Sequence, residues 1–539
     1  MAQTPPTVGT LGFARVAARA SARRPGPAHP RRLTAFFDRL SPPVVAGGVV
    51  ALFIGVTAWW LSQDSHVADY DSGVHLTNAF GYYNAIAAGR LFEPLTAYTG
   101  YAPFAELVGS VGRWVGGPHV ASAVLAQNAV FVSLLALGCY QTGRLLGGSV
   151  AGLLAVVFAL GSPMITGEFH EFFLDPAEAA MVAVTVWLLL ASNRFEDNRY
   201  SALAGLTAGL GMLTKQTFPF FIAGLVAVML ARGGWRQWRG LLIFAGVTAA
   251  VAGPWYVVHL DQIRASGDSV EAAATAGGRN PPRWSGENLS WYAWAVTNHV
   301  LLLPLSLAGA AGAAVGAVRY ARTRAKDNLV PELLGGLIAS WLILTIFIPF
   351  KDNRYILPFL VFAAVLGTAW LVAVPRPWRM LGTAAVVAVA AMNFAAVSLG
   401  LGGTVSVEVP GISAREPDHR SVALYTSSGW LTSGPQRGGD IPGIVEREIE
   451  NGLRELGFEP GGSVFFNSQG LGALAAMHRV APIMDPKALG TDGLFVFTRR
   501  PVGRFSRPCV RASDGSPVFF ARGGQAGPVD GWTLTCPRP

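Results

Sequence analysis

Long apolar runs alternate with short polar segments over residues 43–399 of the chain. A transmembrane α-helix needs about 20 mainly apolar residues, and most of these runs approach or reach that length. The pattern therefore predicts a mainly α, polytopic membrane protein with about eleven transmembrane helices. The predicted spans cover residues 43–61, 120–140, 149–165, 177–191, 202–213, 218–231, 241–258, 292–318, 333–348, 355–374 and 381–399.

The composition supports a membrane protein, since 51% of the 539 residues are hydrophobic and only 14% are charged. Soluble proteins carry about 25% charged residues. The net charge of +9 comes from Lys and Arg in short clusters between the apolar runs, so a nucleic-acid partner is not expected. When the N-terminus is placed in the cytoplasm, every predicted inside loop is basic, as the positive-inside rule requires. These loops contain Arg144, Arg194, Arg199, Arg232, Arg236, Arg239, Arg319, Arg322, Arg324, Lys326, Arg376 and Arg379.

Two polar regions flank the predicted membrane domain of residues 43–400. Residues 1–42 are basic and rich in Ala and Pro, and they lack the apolar core of a signal peptide, which predicts a disordered cytoplasmic tail. Residues 401–539 are punctuated by Gly and Pro and predict a small extracytoplasmic α+β domain. Cys509 and Cys536 lie in this domain and could form a disulfide there. Its strand candidates are VSVEV, SVALY, SVFFN, GLFVF and PVFFA, and its helix candidate is GIVEREIENGLREL.

The first outer loop, residues 66–109, is acidic at its start and aromatic throughout. Apolar residues at helical spacing after Asp71 predict an amphipathic helix on the membrane surface. Asp71 is a candidate general base, which must be a carboxylate or an imidazole within reach of an acceptor hydroxyl. The alternative is that Asp71 caps the helix. Asp69 is a second candidate base, and His75, one turn after Asp71, could orient the base or bind the acceptor.

The second outer loop, GEFHEFFLDPAEA, gathers five further polar residues: Glu168, His170, Glu171, Asp175 and Glu178. Asp-Pro-x-Glu is a good helix start, but a capping role explains only Asp175 and Glu178. The group could instead bind a divalent cation or the hydroxyls of a sugar. Its spacing matches no defined metal motif, so whether a metal is bound is left open.

Three cations lie in short turns on the predicted outer side, where the positive-inside rule disfavours Lys and Arg. Lys215 ends a short helix in GMLTKQTF, and Lys351 and Arg354 lie between two spans in PFKDNRYILP. Such side chains can extend from the membrane to the interface, but their sidedness favours an anionic partner. A phosphate fits, because Arg354 can bind it through two hydrogen bonds and Lys215 as a point charge.

The order and sidedness of these motifs resemble the membrane glycosyltransferases of the GT-C class, in particular the protein mannosyltransferase and aminoarabinose transferase branch. The motifs are an acidic first loop ending in Tyr-Ala-Pro-Phe at residues 101–104, an acidic second loop with Asp-Pro, AGLTAGLGMLTKQTF and NRYILPFL. The resemblance spans residues 43–375. It implies inverting transfer of a sugar from a polyprenyl-phosphate donor to an acceptor on the outer face.

The resemblance also assigns roles to residues. The family's first-loop Asp corresponds to Asp71, but the Glu that usually follows is replaced by Ser72. The aminoarabinose branch has a Lys-Pro-Pro segment that is absent here, which disfavours the same substrate. The resemblance implies Asp71 and Asp175 as catalytic residues and Lys215, Arg354 and Tyr355 as ligands of the donor phosphate. Lys351, from its predicted position on the outer side, is a further candidate ligand of that phosphate. The candidates for acceptor binding or support are Asp69, His75, Tyr101, Glu168, His170 and Glu171.

The sequence thus predicts a hexosyl- or pentosyltransferase of the plasma membrane. Its partners are membrane lipids, a polyprenyl-phosphate sugar and a glycan, lipid or protein acceptor; no cofactor is required by the pattern, although a divalent cation is an alternative. The rival hypothesis is a transporter or flippase of a lipid-linked or anionic solute. Transporters hold their ionisable groups near the bilayer midplane, whereas here these groups gather at one surface.

Overall fold

The structure is a computed structural model. It describes residues 41–64, 70–117, 119–276, 281–325, 328–348, 350–408, 421–425 and 434–435, and the strands 463–466, 481–483, 493–498, 510–511, 517–522 and 533–534. Several predictions lie outside these residues: the tail before residue 41, Asp69, the helix candidate at 443–456, and the pairing of Cys509 with Cys536.

Helices dominate the described residues up to Leu399, which confirms the mainly α fold class. In chain order they are α1 Pro42–Gln63, α2 Tyr70–Ala87, α3 Glu93–Thr96, α4 Phe104–Gly116, α5 Val120–Leu160, α6 Pro163–His170, α7 Asp175–Ala191, α8 Asn198–Met212, α9 Phe218–Ala231, α10 Trp238–Ala276, α11 Gly286–Ala295, α12 Leu302–Thr323, α13 Val330–Phe347, α14 Phe359–Ala369 and α15 Arg376–Leu399. Short 3₁₀ turns cover Gly234–Arg236, Asn353–Ile356 and Trp370–Ala373, and a π turn covers Val296–Val300.

Each of the predicted spans coincides with helix, but two boundaries differ. The runs 120–140 and 149–165 join in α5, which kinks at Gly147 and Gly148; Gly148 has φ 79°, a conformation that favours glycine. The run 292–318 is broken by the π turn between α11 and α12. Within the described residues, six helices are long and apolar enough to cross a membrane, or seven if the bent pair α6–α7 forms one span.

The core of the helical domain surrounds α7 and α14, whose side chains are buried almost throughout. Small residues allow neighbouring helices to approach closely. A Cβ atom added to Gly138 of α5 would lie 2.3 Å from the carbonyl carbon of Ala183 in α7. This contact fixes the axis of α7, and with it the position of Asp175 at its first residue.

Glu332 marks the end of the bundle opposite to Asp175, because α7 separates that residue from Arg194. The buried Glu332 carboxylate accepts hydrogen bonds from Arg194 Nε at 2.9 Å and from Arg232 Nη1 at 2.6 Å. These two arginines belong to predicted inside loops. They share this one carboxylate, which anchors the two loops to α13.

The C-terminal strands form two sheets. Strands β1 Val405–Glu408 and β2 Ser421–Tyr425 pair antiparallel. The second sheet has the order β4-β3-β5-β7-β6, with β8 beside β7. Its strands are β3 Ser463–Phe466, β4 Ala481–Ile483, β5 Gly493–Thr498, β6 Val510–Arg511, β7 Pro517–Arg522 and β8 Thr533–Leu534. All five strand candidates contain observed strand residues, while the α+β character of the domain stays a prediction.

Candidate active site

Four separate parts of the chain meet at one end of the helical bundle. Asp71 lies in the first turn of α2, and Asp175 begins α7. Lys215 lies in the turn between α8 and α9, and Arg354 lies in the 3₁₀ turn before α14. In the structure these four predicted residues form two ion pairs.

Arg354 holds two carboxylates. Its Nη2 donates to Asp71 Oδ2 at 2.6 Å and to Asp352 Oδ2 at 3.1 Å, and its Nε donates to Asp352 Oδ1 at 3.2 Å. The guanidinium carbon lies 5.1 Å from the ring centre of Phe173. Burial by itself would lower the pKa of Arg354, but the charges of Asp352 and Asp175 raise this pKa above its usual range. Arg354 is therefore a permanent cation with 12% of its side chain exposed, against 27% for Asp71.

Lys215 forms the second ion pair. Its Nζ lies 2.5 Å from Asp175 Oδ1 and 4.8 Å from the ring centre of Tyr355. Burial opposes the charge of Lys215, but Asp175 and Glu178 more than compensate and raise its pKa. Glu178 itself accepts a hydrogen bond from Thr217 Oγ1 at 2.6 Å. Asp175, expected to act as a helix cap or a catalytic acid, is thus a partner of the buried lysine.

Tyr101 lies beside both ion pairs. Burial and the nearby charge of Asp71 raise the pKa of Tyr101 to about 12, while Lys215 acts in the opposite direction. The ring of Tyr101 packs edge-on against His75 with ring centres 4.5 Å apart. His75 Nδ1 lies 3.0 Å from Glu106 Oε1. Glu106 was missed by sequence reasoning, although it is an isolated carboxylate in the apolar segment that forms α4.

Three other predicted residues have different environments. Lys351 Nζ donates to the main-chain oxygens of Leu344, Thr345 and Ile348 at 2.9, 2.9 and 2.6 Å, so it caps the C-terminal end of α13. His170 packs inside the bundle, where its ring contacts Thr57, Ser398 and Trp60. Glu171 is buried in the turn between α6 and α7. None of these contacts joins Lys351 or His170 to the two ion pairs.

Side chains of neighbouring elements form hydrogen bonds with the main chain in and around the turn between α6 and α7. Gln127 Nε2 donates to the oxygen of Phe173 at 2.5 Å, and Asn128 Nδ2 donates to the oxygen of Phe169 at 2.8 Å. Ser72, which stands where the resembling enzymes have Glu, accepts from the Phe172 nitrogen at 3.1 Å. The serine therefore ties the first outer loop to the second.

Glu168, in α6, is fully buried. Neither of its carboxyl oxygens has a hydrogen-bond partner among the residues that the structure describes. Asp175, Arg354 and Lys215 are its charged neighbours. Because an unpaired buried carboxyl group is costly for the fold, Glu168 is a candidate for contact with a substrate.

No group of three or more His, Cys, Asp and Glu side chains that could hold a metal ion occurs within the described part of the chain. Asp175 and Asp71 instead bind Lys215 and Arg354. The described carboxylates are therefore arranged as partners of cationic side chains and not as a ligand set for a divalent cation.

Part of the chain is similar to a known protein family. Residues 103–256 match the family model of dolichyl-phosphate-mannose-protein mannosyltransferases. That segment contains Asp175 and Lys215 but neither Asp71 nor Arg354. A search of curated protein sequences found no match.

The fold is also similar to that of solved protein structures. ArnT from Cupriavidus metallidurans in the apo state is similar to this chain with a TM-score of 0.52 and 16% identity, over 84% of this chain and 93% of ArnT. For ArnT bound to undecaprenyl phosphate the TM-score is 0.54, with the same identity and coverage. The arabinosyltransferase EmbB from Mycobacterium smegmatis has a TM-score of only 0.35 with this chain. The identity is 18%, over 72% of this chain and 33% of EmbB.

The fold is therefore the polytopic GT-C fold, which confirms the resemblance seen in the sequence. The fold and its apolar helices support a multi-pass membrane protein, and residues 103–256 are similar to a family of glycosyltransferases.

Proposed function

We propose that this protein is an inverting glycosyltransferase that moves a sugar from a polyprenyl-phosphate donor to an acceptor on the outer face of the plasma membrane. The observation that carries the proposal is the meeting of Asp71, Arg354 and Lys215 at one end of the bundle. A carboxylate for deprotonation and two cations for a phosphate are what this reaction requires. The fold shared with ArnT, which has been solved with undecaprenyl phosphate, supports a lipid phosphate as partner.

The donor phosphate binds Lys215 and Arg354. In the structure Lys215 pairs with Asp175, and Arg354 pairs with Asp71. The guanidinium of Arg354 has five N–H donors, so it can keep Asp352 while a phosphate oxygen replaces Asp71. Donor binding then releases the Asp71 carboxylate beside the anomeric carbon.

Transfer follows from this arrangement. An acceptor hydroxyl gives its proton to Asp71, and its oxygen attacks the anomeric carbon from the face opposite the phosphate. The bond between the anomeric carbon and the phosphate oxygen breaks, and both electrons leave with the polyprenyl phosphate. Lys215 and Arg354 stabilise the charge that develops on this leaving group. Attack from the opposite face inverts the configuration.

Glu168 and Tyr355 complete the donor site in this proposal. Glu168 has unpaired oxygens that can bind hydroxyls of the donor sugar. The ring of Tyr355 faces the Lys215 ammonium and limits where it can move. These contacts account for a buried carboxyl group that has no structural partner among the described residues.

The test is to incubate the purified protein in lipid nanodiscs with a panel of polyprenyl-phosphate sugars and a membrane extract that supplies acceptors. Release of free polyprenyl phosphate from one donor is expected, and EDTA is expected to leave the rate unchanged. Release from no donor would contradict the proposal and would favour the transporter or flippase.

A further inference from the structure

A second polar group lies one helical turn beyond Asp71. Glu106 Oε1 accepts a hydrogen bond from Asn78 Nδ2 at 2.8 Å and lies 3.0 Å from His75 Nδ1. His75 is 3% exposed and Glu106 is fully buried. We assign the carboxyl oxygen as the acceptor of both bonds, which for the neutral imidazole places the proton on Nδ1 and the lone pair on Nε2.

Nε2 of His75 has no hydrogen-bond partner within the described ranges of the chain. Residues four apart on a helix lie on one face, with Cβ atoms about 5–6 Å apart, so His75 and Asp71 share a face of α2. Tyr101 contacts the His75 ring edge-on and lies within the field of Asp71 and Lys215. His75 Nε2, the Asp71 carboxylate and the Tyr101 ring are therefore neighbours.

We propose that His75 binds the acceptor, and that the acceptor is a sugar with neighbouring hydroxyls. One hydroxyl is deprotonated by Asp71, and the next donates a hydrogen bond to His75 Nε2. The apolar C–H face of the sugar packs on Tyr101. Glu106 is a positioning residue, since it fixes the tautomer and the ring orientation of His75 without touching the substrate. This inference rests on the proposed function and selects the glycan among its acceptors.

A serine or threonine acceptor would leave one polar atom of this site without a hydrogen-bond partner. A side chain with a single hydroxyl occupies Asp71 and leaves Nε2 without a donor. Sites built to bind a substrate hydroxyl discriminate strongly against analogues that lack it, because their own polar groups are then left unpaired. We expect a preference of about tenfold to a hundredfold for a sugar diol over its deoxy analogue.

Two substitutions of His75 separate acceptor binding from a structural role. His75→Asn places an amide N–H where Nδ1 was, so it can keep the Glu106 bond, but it has no atom at the position of Nε2. His75→Gln reaches the position of Nε2 and gives up the Glu106 bond. If His75 only supports α4 through Glu106, Asn is tolerated and Gln is not. Binding of the acceptor by Nε2 predicts the reverse order.

The experiment uses the full-length protein in nanodiscs, with the donor found in the panel assay and octyl glycosides as acceptor probes. Each glycoside is paired with its monodeoxy analogues, and N-acetyl-serine amide and N-acetyl-threonine amide represent protein acceptors. For His75→Asn we expect KM for the glycoside to rise at least about tenfold, with kcat changing less. The preference over the deoxy analogue should disappear in this variant. His75→Gln should retain part of that preference.

Three results would overturn the inference. They are wild-type transfer to the serine or threonine amide as efficient as to the glycoside, a deoxy preference that survives in His75→Asn, and greater damage by Gln than by Asn. Because donor cleavage is scored separately by release of polyprenyl phosphate, these results leave the proposed function intact. Cleavage of no donor would instead remove the reaction on which the inference depends.

Discussion

Two buried lysines near the candidate site have different partners. Lys215 pairs with the Asp175 carboxylate, whereas Lys351 donates to three main-chain oxygens at the end of α13. Sequence reasoning assigned both to the donor phosphate because both follow helices on the same predicted side. A lysine a few residues after a helix is also a known capping pattern, so the capping role of Lys351 could have been predicted from the sequence.

The two lysines should therefore respond differently to replacement. Lys351→Met leaves three carbonyl oxygens without a donor and should lower the free energy of unfolding by about 1–3 kcal/mol, with little change in donor affinity. Lys215→Met should lower donor affinity at least about tenfold. Thermal unfolding and binding of undecaprenyl phosphate, measured on the same samples, check both effects. Weakened binding in Lys351→Met at unchanged stability would contradict the assignment.

Glu168 and Glu178 offer a second matched comparison, since both are fully buried. Glu168 has no hydrogen-bond partner among the described residues, whereas Glu178 accepts from Thr217. Removing an unpaired buried carboxyl group relieves a cost, so Glu168→Leu should raise the free energy of unfolding by about 1–3 kcal/mol while transfer is lost.

Glu178→Leu, the control, removes the partner of Thr217 and should be destabilising instead. Thermal unfolding together with a donor-cleavage assay distinguishes the two carboxyl groups. Lower stability and full transfer in Glu168→Leu would show that Glu168 is structural.

At the scale of helices, contacts distant in sequence decide which residues reach the site. The apolar runs predicted where the helices form, because hydrophobic length is a local property, although only six or seven of the described helices are long and apolar enough to cross a membrane. The contact of His170 with Thr57 and Ser398 spans 113 and 228 positions and could not be read from the second loop alone. The bond between His75 and Glu106 spans 31 positions and was missed for the same reason.

The packing of α5 on α7 gives a prediction at this scale. Gly138→Ala places a methyl group against the Ala183 backbone and should lower the free energy of unfolding by about 1–3 kcal/mol. The control is Gly55→Ala in α1, where no atom lies within 4 Å of the new Cβ. This control should be neutral or stabilising by up to about 1 kcal/mol, because alanine favours helix more than glycine does.

Thermal inactivation of both variants in lipid nanodiscs provides the comparison. Equal stability of the two variants would mean that α5 and α7 are not in close contact in the folded protein. Loss of donor cleavage in Gly138→Ala below its unfolding temperature would add that the axis of α7 positions Asp175.

At the scale of the whole molecule, the distribution of basic residues predicts the sidedness of the site. Ala88 lies just after α2 in the predicted first outer loop, and Gln237 lies in the predicted inside turn before α10; both are exposed. Ala88→Cys should react with a membrane-impermeant maleimide in intact cells, and Gln237→Cys only after permeabilisation. The background carries Cys509→Ser and Cys536→Ser, and Cys139 is buried. The opposite labelling pattern would place the site in the cytoplasm.

Fold class and membrane character followed from sequence patterns, and all four residues of the two ion pairs, Asp71, Asp175, Lys215 and Arg354, were candidates there. Their pairing was not predicted, since Lys215 and Arg354 were both expected to bind phosphate. The pairing of Arg354 with Asp71 depends on atoms 283 residues apart, which no local pattern encodes. That pairing changes the chemistry, because it makes the proposed base available only when another anion occupies Arg354.

Asp71→Asn tests the account most directly when donor binding and transfer are measured on the same samples. Removing the carboxylate that competes for Arg354 should tighten binding of undecaprenyl phosphate about fivefold, while transfer falls by a factor of about 10²–10⁴. In an Arg354→Gln background the same substitution should give no tightening. Transfer at the wild-type rate in Asp71→Asn, or binding weaker than wild type, would contradict the account.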